Sequence, residues 1–407
     1  MDKNSIAKAT QSLETKEDLL RLLNQIKQDE MTECSMSDKF YPFTMKHLNY
    51  YCNPNNSFHR YKQFKIKKKS GGFRLITAPR NQSFMLLLRY VNEIFKAVYT
   101  PSDYAMGFTE KRSVVTNADI HKGHNYIFNI DLKDFFPSIH QARVWKRLQL
   151  KPLLFKQPIA NVVAGLCSMK EKMEDGSVRY VLPQGAPTSP IITNLICDNL
   201  DRRLAGLAKR FGVVYSRYAD DITFSSMHNV YHPSGEFIKE LRRIVESQGF
   251  IMNEDKTRLQ KIGTRQEVTG IIVSDKLNVS QKYVRDIRNI LYIWRKYGYA
   301  TAFNKFYPRY KETKGHVKKG NPDMVNVLDG KLMYLKMVKG EDDSVYLRLK
   351  MQFDELCNSL HDNTRTTQHG ITYVETLPVL EFERKNNTVI TIVTTKPKEF
   401  YTVHTPQ

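Results

Sequence analysis

The sequence predicts an α/β or α+β core that is followed by a helical region. Up to about residue 280, short β-prone runs alternate with longer stretches in which apolar residues recur at helical spacing. From 281 to about 360 the spacing is helical and the segment is rich in Lys and Arg. With 407 residues, of which 41% are hydrophobic, the chain can bury a sizeable core. This composition excludes a chain that is disordered throughout.

The excess of positive charge points to a polyanionic partner. Lys and Arg number 63 against 42 Asp and Glu, which gives a formal net charge of +21. Nucleic acid is the first candidate, an anionic membrane surface is the second, and a merely soluble basic protein is the remaining alternative. No stretch approaches the ~18 apolar residues of a membrane-spanning helix, so we expect no membrane partner.

Cysteine usage and the N-terminal segment favour a cytoplasmic protein. The five cysteines are scattered and include no Cys-x-x-Cys pair, which argues against a disulfide framework and against a zinc finger. The N-terminal segment lacks the apolar stretch of a secretory signal. We therefore expect a reducing compartment, with the cytoplasm as the default.

Four elements are predicted in the first third of the chain. Apolar spacing predicts a helix over 4–30. Two alternating runs within 64–76 flank a Ser-Gly-Gly sequence, which indicates a β-hairpin. A second helix is predicted over 81–98, and the apolar run 126–132 is typical of a buried strand.

The elements predicted next continue the alternation. A Ser-Pro pair opens a long helix over 189–210, and residues 212–226 indicate a strand, a tight turn and a second strand. An amphipathic helix is predicted over 236–248 and a strand region over 266–280. The tail from about 370 has a β-type pattern and carries no motif that indicates a function.

The adjacent carboxylates Asp220 and Asp221 are the first candidate site. They lie between two apolar, β-prone runs, so a hairpin tip would present both beside a sheet. Two like charges in a half-buried place repel each other unless a cation lies between them, and Mg²⁺ prefers such oxygen ligands. The alternative is an acidic pair on a solvated surface.

Asp131 is a third candidate carboxylate. It interrupts the end of an apolar strand, where a charge is costly without compensation. A helix cap is the alternative, and Asp134 would serve as that cap equally well. Carboxylates from separate strands are what a two-metal site requires, and Asp131, Asp220 and Asp221 would suffice for one.

Two further segments are suited to binding phosphate. Lys67 and Arg74 flank the Gly-Gly turn of the basic hairpin, although a solvated basic loop is slightly favoured when this segment is taken alone. Gln184 and Gly185 belong to a Pro/Gly-rich loop that runs into the N-terminus of a helix. By itself that loop is an unspecific loop–helix junction.

In sequence order, these segments resemble the conserved blocks of reverse transcriptases. KKKSGGFRLITAP resembles the first fingers block, DLKDFFPSI the first palm carboxylate block, and LPQGAPTSPIITNL the template and nucleotide loop. RYADDITFS is similar to the polymerase YxDD box, and GFIMNEDKT to the block that follows it. The match spans about 64–280, roughly half of the chain.

Two short signatures favour the retron type within this family. Asn117 and His121 fit an NAxxH signature, and Val268, Thr269 and Gly270 fit a VTG signature. The resemblance implies an α+β right-hand polymerase in which the antiparallel sheet of the palm packs on helices. Its domains are expected as follows: N-terminal helices and fingers over 1–125, the palm over 126–280 with part of the fingers at 150–185, a helical thumb over 281–360, and a β-rich extension over 361–407.

The resemblance also implies roles for individual residues. Two Mg²⁺ ions would be held by Asp131, Asp220 and Asp221, with the backbone carbonyl of Leu132. The incoming dNTP would contact Lys67, Arg74, Phe136, Gln184, Gly185 and Lys256. RNA would contact Asn117, His121, Val268, Thr269, Gly270, Arg285 and Arg288.

Three of these roles have stated alternatives. Phe136 is at the steric-gate position, and plain core packing is its alternative. Lys256 is either a general acid toward pyrophosphate or a phosphate contact. His121 is either an RNA contact or a residue that caps or packs beside Asp119.

The implied function is reverse transcription of a structured noncoding RNA, primed from a 2′-OH of that RNA. The product is branched multicopy single-stranded DNA (msDNA), in a complex that serves antiphage defence with a separate effector protein. One alternative is another bacterial reverse transcriptase, either group II intron-like or from a defence system without a retron RNA. A second alternative is an RNA-binding scaffold whose polymerase site is inactive.

Overall fold

The computed structural model divides the chain into two compact units. One is formed mainly by Met1–Gln281, and the other holds most of the chain that follows. The described residues are 1–34, 40–67, 71–172, 176–313, 322–362, 381–385 and 388–392. The predicted limits of fingers, palm and thumb stay a prediction.

The first unit contains ten α-helices and ten strands among the described residues. In its first half these are α1 (Lys3–Gln11), α2 (Lys16–Glu33), α3 (Met45–Cys52), α4 (Ser57–Arg60), β1 (Tyr61–Lys67), β2 (Phe73–Pro79), α5 (Gln82–Val98), α6 (Val114–Asp119), β3 (Tyr126–Asp131) and α7 (Gln141–Leu148). In its second half they are α8 (Gln157–Leu166), β4 (Met169–Lys172), β5 (Val178–Val181), α9 (Ser189–Phe211), β6 (Val214–Tyr218), β7 (Asp221–Ser226), α10 (Glu236–Ser247), β8 (Arg258–Lys261), β9 (Glu267–Val268) and β10 (Ile271–Ile272).

The N-terminal segment forms two helices where the sequence pattern predicts one. The Thr15 side chain accepts a hydrogen bond from the backbone N–H of Asp18, and the Asp18 carboxylate accepts one from the backbone N–H of Thr15. This reciprocal capping box starts α2 afresh after the end of α1. Leu13 is buried in the connection, so the apolar spacing continues across the break.

The basic hairpin forms as predicted. Strands β1 and β2 pair antiparallel, with Ile66 opposite Arg74 and Lys67 opposite Phe73. Gly71 and Gly72 both have positive φ, +89° and +71°, which glycine adopts without steric cost. Arg74 and Lys67 are exposed at this end of the hairpin.

A four-stranded antiparallel sheet, in the order β6-β7-β3-β8, forms the centre of the first unit. Its two faces differ because side chains alternate along each strand. On one face Phe128 and Phe224 lie in the core, and the Phe224 ring is 5.1 Å from Phe237 of α10. On the other face the Asn129 amide donates to the Thr223 hydroxyl at 3.0 Å. The sheet is antiparallel throughout, so the fold is α+β.

The predicted strand region over 266–280 contains only two short strands, β9 and β10. They are joined by Thr269 and Gly270, with φ of +48° and +84°. Two consecutive positive φ values are the pattern of a type I′ hairpin turn. The turn reverses the chain after Val268 and thereby ends the strand.

The later chain is helical as predicted. Its elements are α11 (Gln281–Thr313), α12 (Met324–Lys339), α13 (Ser344–Asp362), β11 (Glu381–Lys385) and β12 (Thr388–Ile392). Helix α11 is kinked at Gly298, whose φ is +82°. Strands β11 and β12 pair antiparallel, in agreement with the β-type pattern. The rest of the predicted extension lies outside the described residues. No helix in the described ranges is long and apolar enough to cross a membrane.

Candidate active site

The β6–β7 hairpin presents two of the three predicted carboxylates. Tyr218 pairs with Asp221, so Ala219 and Asp220 form a two-residue turn. Ala219 has a φ of +60°, and a positive φ at the first central position is typical of type II′ hairpin turns. The turn places Asp220 and Asp221 together at the end of the sheet, as the sequence predicts.

Asp131 comes to the same end of the sheet on the neighbouring strand. It is the last residue of β3 and lies directly opposite Asp221 in the antiparallel register. Directly opposite residues project from the same face, with Cβ atoms about 5 Å apart. The next backbone N–H, that of Leu132, donates to the carbonyl of Asp220 at 3.1 Å. The structure therefore brings the three aspartates together.

A cationic side chain already contacts Asp131. The Lys256 ammonium lies 2.9 Å from Oδ1 and 3.0 Å from Oδ2, and the Asn253 amide donates to Oδ1 at 3.0 Å. Only 8% of the Asp131 side chain is exposed, against 60% of Lys256. The Asn253 backbone N–H also donates to the Asp131 carbonyl at 2.8 Å. These contacts provide hydrogen-bond partners for both oxygens of a nearly buried carboxylate.

The carboxylates of the turn are held in an environment that favours protonation. Loss of hydration, followed by the charges of Asp220 and Asp131, raises the pKa of Asp221 to about 6. The pKa of Asp220 is also raised, mainly by loss of hydration, with the charge of Asp131 acting in the same direction. Asp220 is half-buried, but Asp221 is exposed to water, so solvent screening limits the energetic cost at Asp221.

The chemistry of these donors fits a hard divalent cation. Three carboxylates that repel one another need positive charge, and Mg²⁺ prefers oxygen ligands of this kind. At Asp131 that need is met by Lys256. Across the described ranges no three His, Cys, Asp or Glu side chains are already arranged as a metal-ligand group. Metal binding by Asp131, Asp220, Asp221 and the Leu132 carbonyl stays a prediction.

The predicted nucleotide loop packs on the basic hairpin. The Thr77 backbone N–H of β2 donates to the Gln184 carbonyl at 2.8 Å. A Cβ on Gly185, whose φ is +130°, would lie 2.9 Å from Ile76 and 3.0 Å from the Thr77 carbonyl. Only glycine allows this close approach. Loop and hairpin are thus brought together.

Arg74 connects this hairpin electrostatically to the carboxylates. The positive charge of Arg74 acts to lower the pKa of Asp220, against the larger effect of lost hydration. Lys256 acts on Asp220 in the same direction. Cations from two separate segments therefore act electrostatically on Asp220. The nucleotide-binding roles of Lys67, Arg74, Gln184, Gly185 and Lys256 stay predictions.

Phe136 lies beyond β3, half-buried between two other rings. Its ring centroid is 5.5 Å from that of Phe135 and 6.4 Å from that of Phe108. Phe135 is buried in the core, whereas Phe108 is exposed. One side of Phe136 therefore packs, which is the stated alternative, and the steric-gate role stays a prediction.

Asn117 and His121 belong to a buried network on the polar face of the sheet. The two ring nitrogens of His121 lie 2.7 Å from the Ser225 hydroxyl and 2.8 Å from the Ser216 hydroxyl. Ser216 donates to the Asn117 side-chain oxygen at 2.7 Å. Both residues are at most 1% exposed. His121 thus packs inside the fold, through contacts with Ser216 and Ser225. RNA contact by Asn117 or His121 stays a prediction, and it would require this network to open.

The VTG segment joins the same network. The Asn117 amide lies 3.4 Å from the Thr269 hydroxyl, which donates to the Val114 carbonyl at 3.3 Å. Val268 is buried, and Gly270 is exposed in the turn. The two signatures that are separate in sequence are therefore in contact in the fold. RNA contact by Val268, Thr269 and Gly270 stays a prediction.

Arg285 and Arg288 lie in the second unit. Both are exposed on α11, where Tyr292 lies one turn further along and is also exposed. Residues three and four positions apart share a helix face, so the two arginines and Tyr292 form one stripe. Their predicted contact with RNA stays a prediction.

The sequence patterns missed a buried charge pair behind the carboxylate turn. Arg217 and Asp201 are both fully buried and are joined by an ion pair at 2.7 Å. The available signal was a charge at an apolar position: Asp201 follows Leu200 within the long helix, and Arg217 lies inside a β-prone run. Asn253 was also missed, although it lies in the same block as Lys256.

An antiparallel sheet that carries three aspartates at the ends of two adjacent central strands is the palm of a right-hand polymerase. The sequence model of the reverse transcriptase (RNA-dependent DNA polymerase) family matches residues 66–282, which is just over half of the chain. The chain belongs to this family.

Curated relatives make the assignment more specific. The retron Mx65 reverse transcriptase of Myxococcus xanthus is 36% identical over 255 residues, which cover 59% of this chain and 57% of the relative. The retron Mx162 enzyme of the same species is 37% identical over 246 residues, covering 54% and 49%. The retron Ec86 enzyme of Escherichia coli is 33% identical over 233 residues, covering 56% and 68%. The chain thus spans about half to two thirds of the length of these relatives, and its resemblance to retron-type reverse transcriptases is confirmed.

Proposed function

We propose that this protein is an RNA-directed DNA polymerase that copies a cognate structured noncoding RNA. The observation that carries the proposal is the register of β3 and β7, which sets Asp131 opposite Asp221 beside the Asp220 turn. In a chain of the reverse transcriptase family, that is the arrangement expected for nucleotidyl transfer.

The aspartates have a defined task in this proposal. Asp131, Asp220 and Asp221, with the Leu132 carbonyl, would hold two Mg²⁺ ions. Such ions, when bound, lower the pKa of the attacking primer hydroxyl and neutralise charge on the departing pyrophosphate. Asp131 would exchange its contact with Lys256 for a bound cation, and the Lys256 ammonium would then be available to the triphosphate. The flexible, exposed stem of Lys256 suits this exchange.

The incoming dNTP is held between the hairpin and the carboxylates. Arg74 and Lys67 lie on the exposed end of the hairpin and supply positive charge to the triphosphate. Gln184 and Gly185 would line the nucleotide pocket, and the packing of their loop on β2 beside the basic hairpin supports this role. Phe136 stacks on the deoxyribose and leaves no space for a 2′-OH.

The retron-specific part of the proposal draws on the relatives and on charge. We propose that synthesis begins at a 2′-OH of the RNA and yields branched msDNA, since several curated relatives are retron reverse transcriptases. The net charge of +21 and the basic stripe with Arg285 and Arg288 suit RNA binding. We further propose a cytoplasmic complex that acts in antiphage defence with a separate effector protein.

Another bacterial reverse transcriptase, group II intron-like or from a defence system without a retron RNA, is the second candidate. Sequencing the nucleic acid that copurifies with the protein, before and after debranching treatment, separates the two. A branched RNA–DNA species supports the retron function alone. An unbranched RNA with normal polymerase activity would support the second candidate.

A primer-extension assay tests the polymerase activity itself. Wild-type protein, Mg²⁺ and dNTPs on an RNA template are expected to give cDNA, and Asp220→Asn is expected to abolish it. A scaffold with an inactive polymerase site would give no cDNA with either protein. Equal activity of the two proteins would remove Asp220 from the metal site.

A further inference from the structure

We propose that the buried Arg217–Asp201 ion pair is the positioning element of the carboxylate turn. Neither side chain reaches the surface, so the pair acts through the Ala219 backbone carbonyl that Arg217 holds. The inference rests on the proposed polymerase function and adds to it the residues that fix where Asp220 and Asp221 lie. It predicts a defect in metal binding and chemistry, separable from a loss of stability.

The ion pair itself is bidentate. Arg217 Nε donates to Asp201 Oδ1 at 2.7 Å, and one terminal nitrogen donates to Oδ2 at 2.7 Å. Asp201 also accepts from the Tyr215 hydroxyl at 2.7 Å and from the Ser102 hydroxyl at 3.1 Å. This fully paired carboxylate fixes the plane of the guanidinium, since a fork-on-fork contact leaves little rotational freedom.

The guanidinium then holds the turn. Its remaining terminal nitrogen donates to the Ala219 carbonyl at 3.1 Å. Ala219 is the residue with a φ of +60°, a backbone conformation that costs energy in a residue with a side chain. Its carbonyl belongs to the peptide that leads into Asp220. The contact therefore stabilises the strained peptide that aims the first carboxylate of the turn.

A second chain segment holds the strand that leads into the turn. The backbone N–H of Arg217 donates to the Tyr104 carbonyl at 2.9 Å, and the Met106 N–H donates to the Arg217 carbonyl at 2.8 Å. The side chain of Asn194 connects both parts: its oxygen accepts from Arg217 at 3.1 Å and its amide donates to the Gly107 carbonyl at 3.0 Å. The turn is thus fixed to α9 and to 104–107 through one buried cluster.

Stability alone explains this cluster poorly. A buried ion pair loses much of its attraction to the cost of dehydration, and apolar residues of similar volume are often as stabilising. What an arginine–carboxylate pair adds is a fixed orientation, because the planar guanidinium can donate to a carboxylate in only a few geometries. Here the fixed direction points at the peptide between Ala219 and Asp220. Positioning is therefore the stronger explanation of its presence.

The test compares Arg217→Lys with Arg60→Lys. Arg60 is a matched control because it is also fully buried, yet it holds the carbonyls of Tyr51, Gly165 and Ser168. Full-length variants are compared by thermal midpoint, by Mn²⁺ binding without nucleic acid, and by kcat and the KM for dNTP in primer extension. Mn²⁺ binding is the readout that is independent of activity.

We expect Arg217→Lys to lower kcat by about 10- to 100-fold, since a misplacement near 1 Å costs that much. The KM for dNTP should change by less than about threefold, and Mn²⁺ should bind several-fold more weakly. Arg60→Lys should lower the thermal midpoint while kcat and Mn²⁺ affinity stay at wild-type values. A folded Arg217→Lys protein with wild-type kcat and Mn²⁺ affinity would overturn the inference.

A second variant covers the case in which Arg217→Lys does not fold. Asn194→Ala leaves the charge pair intact and removes one support of the guanidinium. It should lower kcat and Mn²⁺ affinity in the same direction by a smaller factor, and unchanged values would contradict the positioning role. The proposed function fails separately, namely if wild-type protein is inactive or if Asp220→Asn is as active as wild type.

Discussion

Replacement of Gly107 by alanine is expected to displace the carboxylate turn. A Cβ at this position would lie 2.6 Å from the Ala219 backbone nitrogen, 3.1 Å from the Tyr218 carbonyl carbon and 3.3 Å from the Tyr218 Cα. All three neighbours are backbone atoms of the YADD hairpin. No side chain can rotate away to make room, so the backbone itself must move.

The size of the movement follows from these distances. Ordinary contact of a Cβ begins near 3.4 Å, so the Ala219 nitrogen at 2.6 Å must retreat by about 0.8 Å. A misplacement near 1 Å in an active site costs about 100-fold in rate. Forcing an extra methyl group into a packed site costs about 1–3 kcal/mol of stability. We therefore expect Gly107→Ala to lower kcat by about 30- to 100-fold.

Two other glycines provide matched controls in the same assay. Gly206 lies inside α9 with nothing within 4 Å of its added Cβ, so Gly206→Ala should keep full activity and gain about 0.5–1 kcal/mol. At Gly165 the added Cβ would overlap the carbonyl oxygen of Cys52, away from the carboxylates. Gly165→Ala should therefore lose stability while the folded fraction keeps the wild-type kcat.

The measurements are single-turnover primer extension at saturating Mg²⁺ and dNTP, together with thermal unfolding. Full kcat in a folded Gly107→Ala protein would refute the reasoning, because the turn would then tolerate the movement that the geometry requires. A fall in kcat shared equally by Gly107→Ala and Gly165→Ala would also refute it, since loss of stability would then be sufficient.

Four further predictions concern three side chains. Phe136→Ala should raise incorporation of rNTPs relative to dNTPs by about tenfold or more in competition assays, because the ring no longer excludes the 2′-OH; unchanged sugar selectivity would place the gate elsewhere. The raised pKa of Asp221, about 6, means that its stabilising contribution is complete below pH 4 and is lost as the pH rises through 6. Asp221→Asn should therefore raise the thermal midpoint of the protein above the wild-type value in EDTA at pH 7.5 and leave it at the wild-type value at pH 4. If variant and wild type had the same midpoint at both pH values, the direction of this pKa effect would be contradicted. Burial lowers the pKa of His121 to about 3, so its NMR resonances should not shift between pH 5 and 8, and a titration step in that range would show that the ring is not buried. His121→Ala should cut cognate-RNA and generic primer extension in parallel with a lower thermal midpoint, and a selective loss of the cognate reaction would instead support RNA contact.

Local patterns in the sequence were sufficient for much of the fold. The apolar run 126–132, the Ser-Pro helix start at Ser189 and the strand–turn–strand at 212–226 all form as predicted, because each is determined by neighbouring residues. The break between α1 and α2 was missed because the apolar spacing continues through Leu13. The capping residues Thr15 and Asp18 were the signal that the helix restarts there.

The candidate site was predictable in composition and less so in arrangement. The acidic residues stand out because their charges interrupt β-prone runs. The order of the reverse-transcriptase blocks along the chain then assigns Asp131 to the same site as Asp220 and Asp221. The contact of the Asn117 signature with Thr269 could not be read from the chain, since 152 residues separate them. Such contacts depend on how α6 packs on the sheet, and spacing along the chain carries no information about that packing.

The alternation of side chains in β3 and β7 also restricts how these strands can change length. Phe128 and Asp131 project to opposite faces, as do Phe224 and Asp221. Deleting one residue between Phe128 and Asp131 would turn the aspartate toward the apolar core or Phe128 toward the polar face of the sheet. Among homologues, insertions or deletions within β3 or β7 should therefore involve an even number of residues. The loops at the ends of these strands away from the aspartates are free to change by single residues.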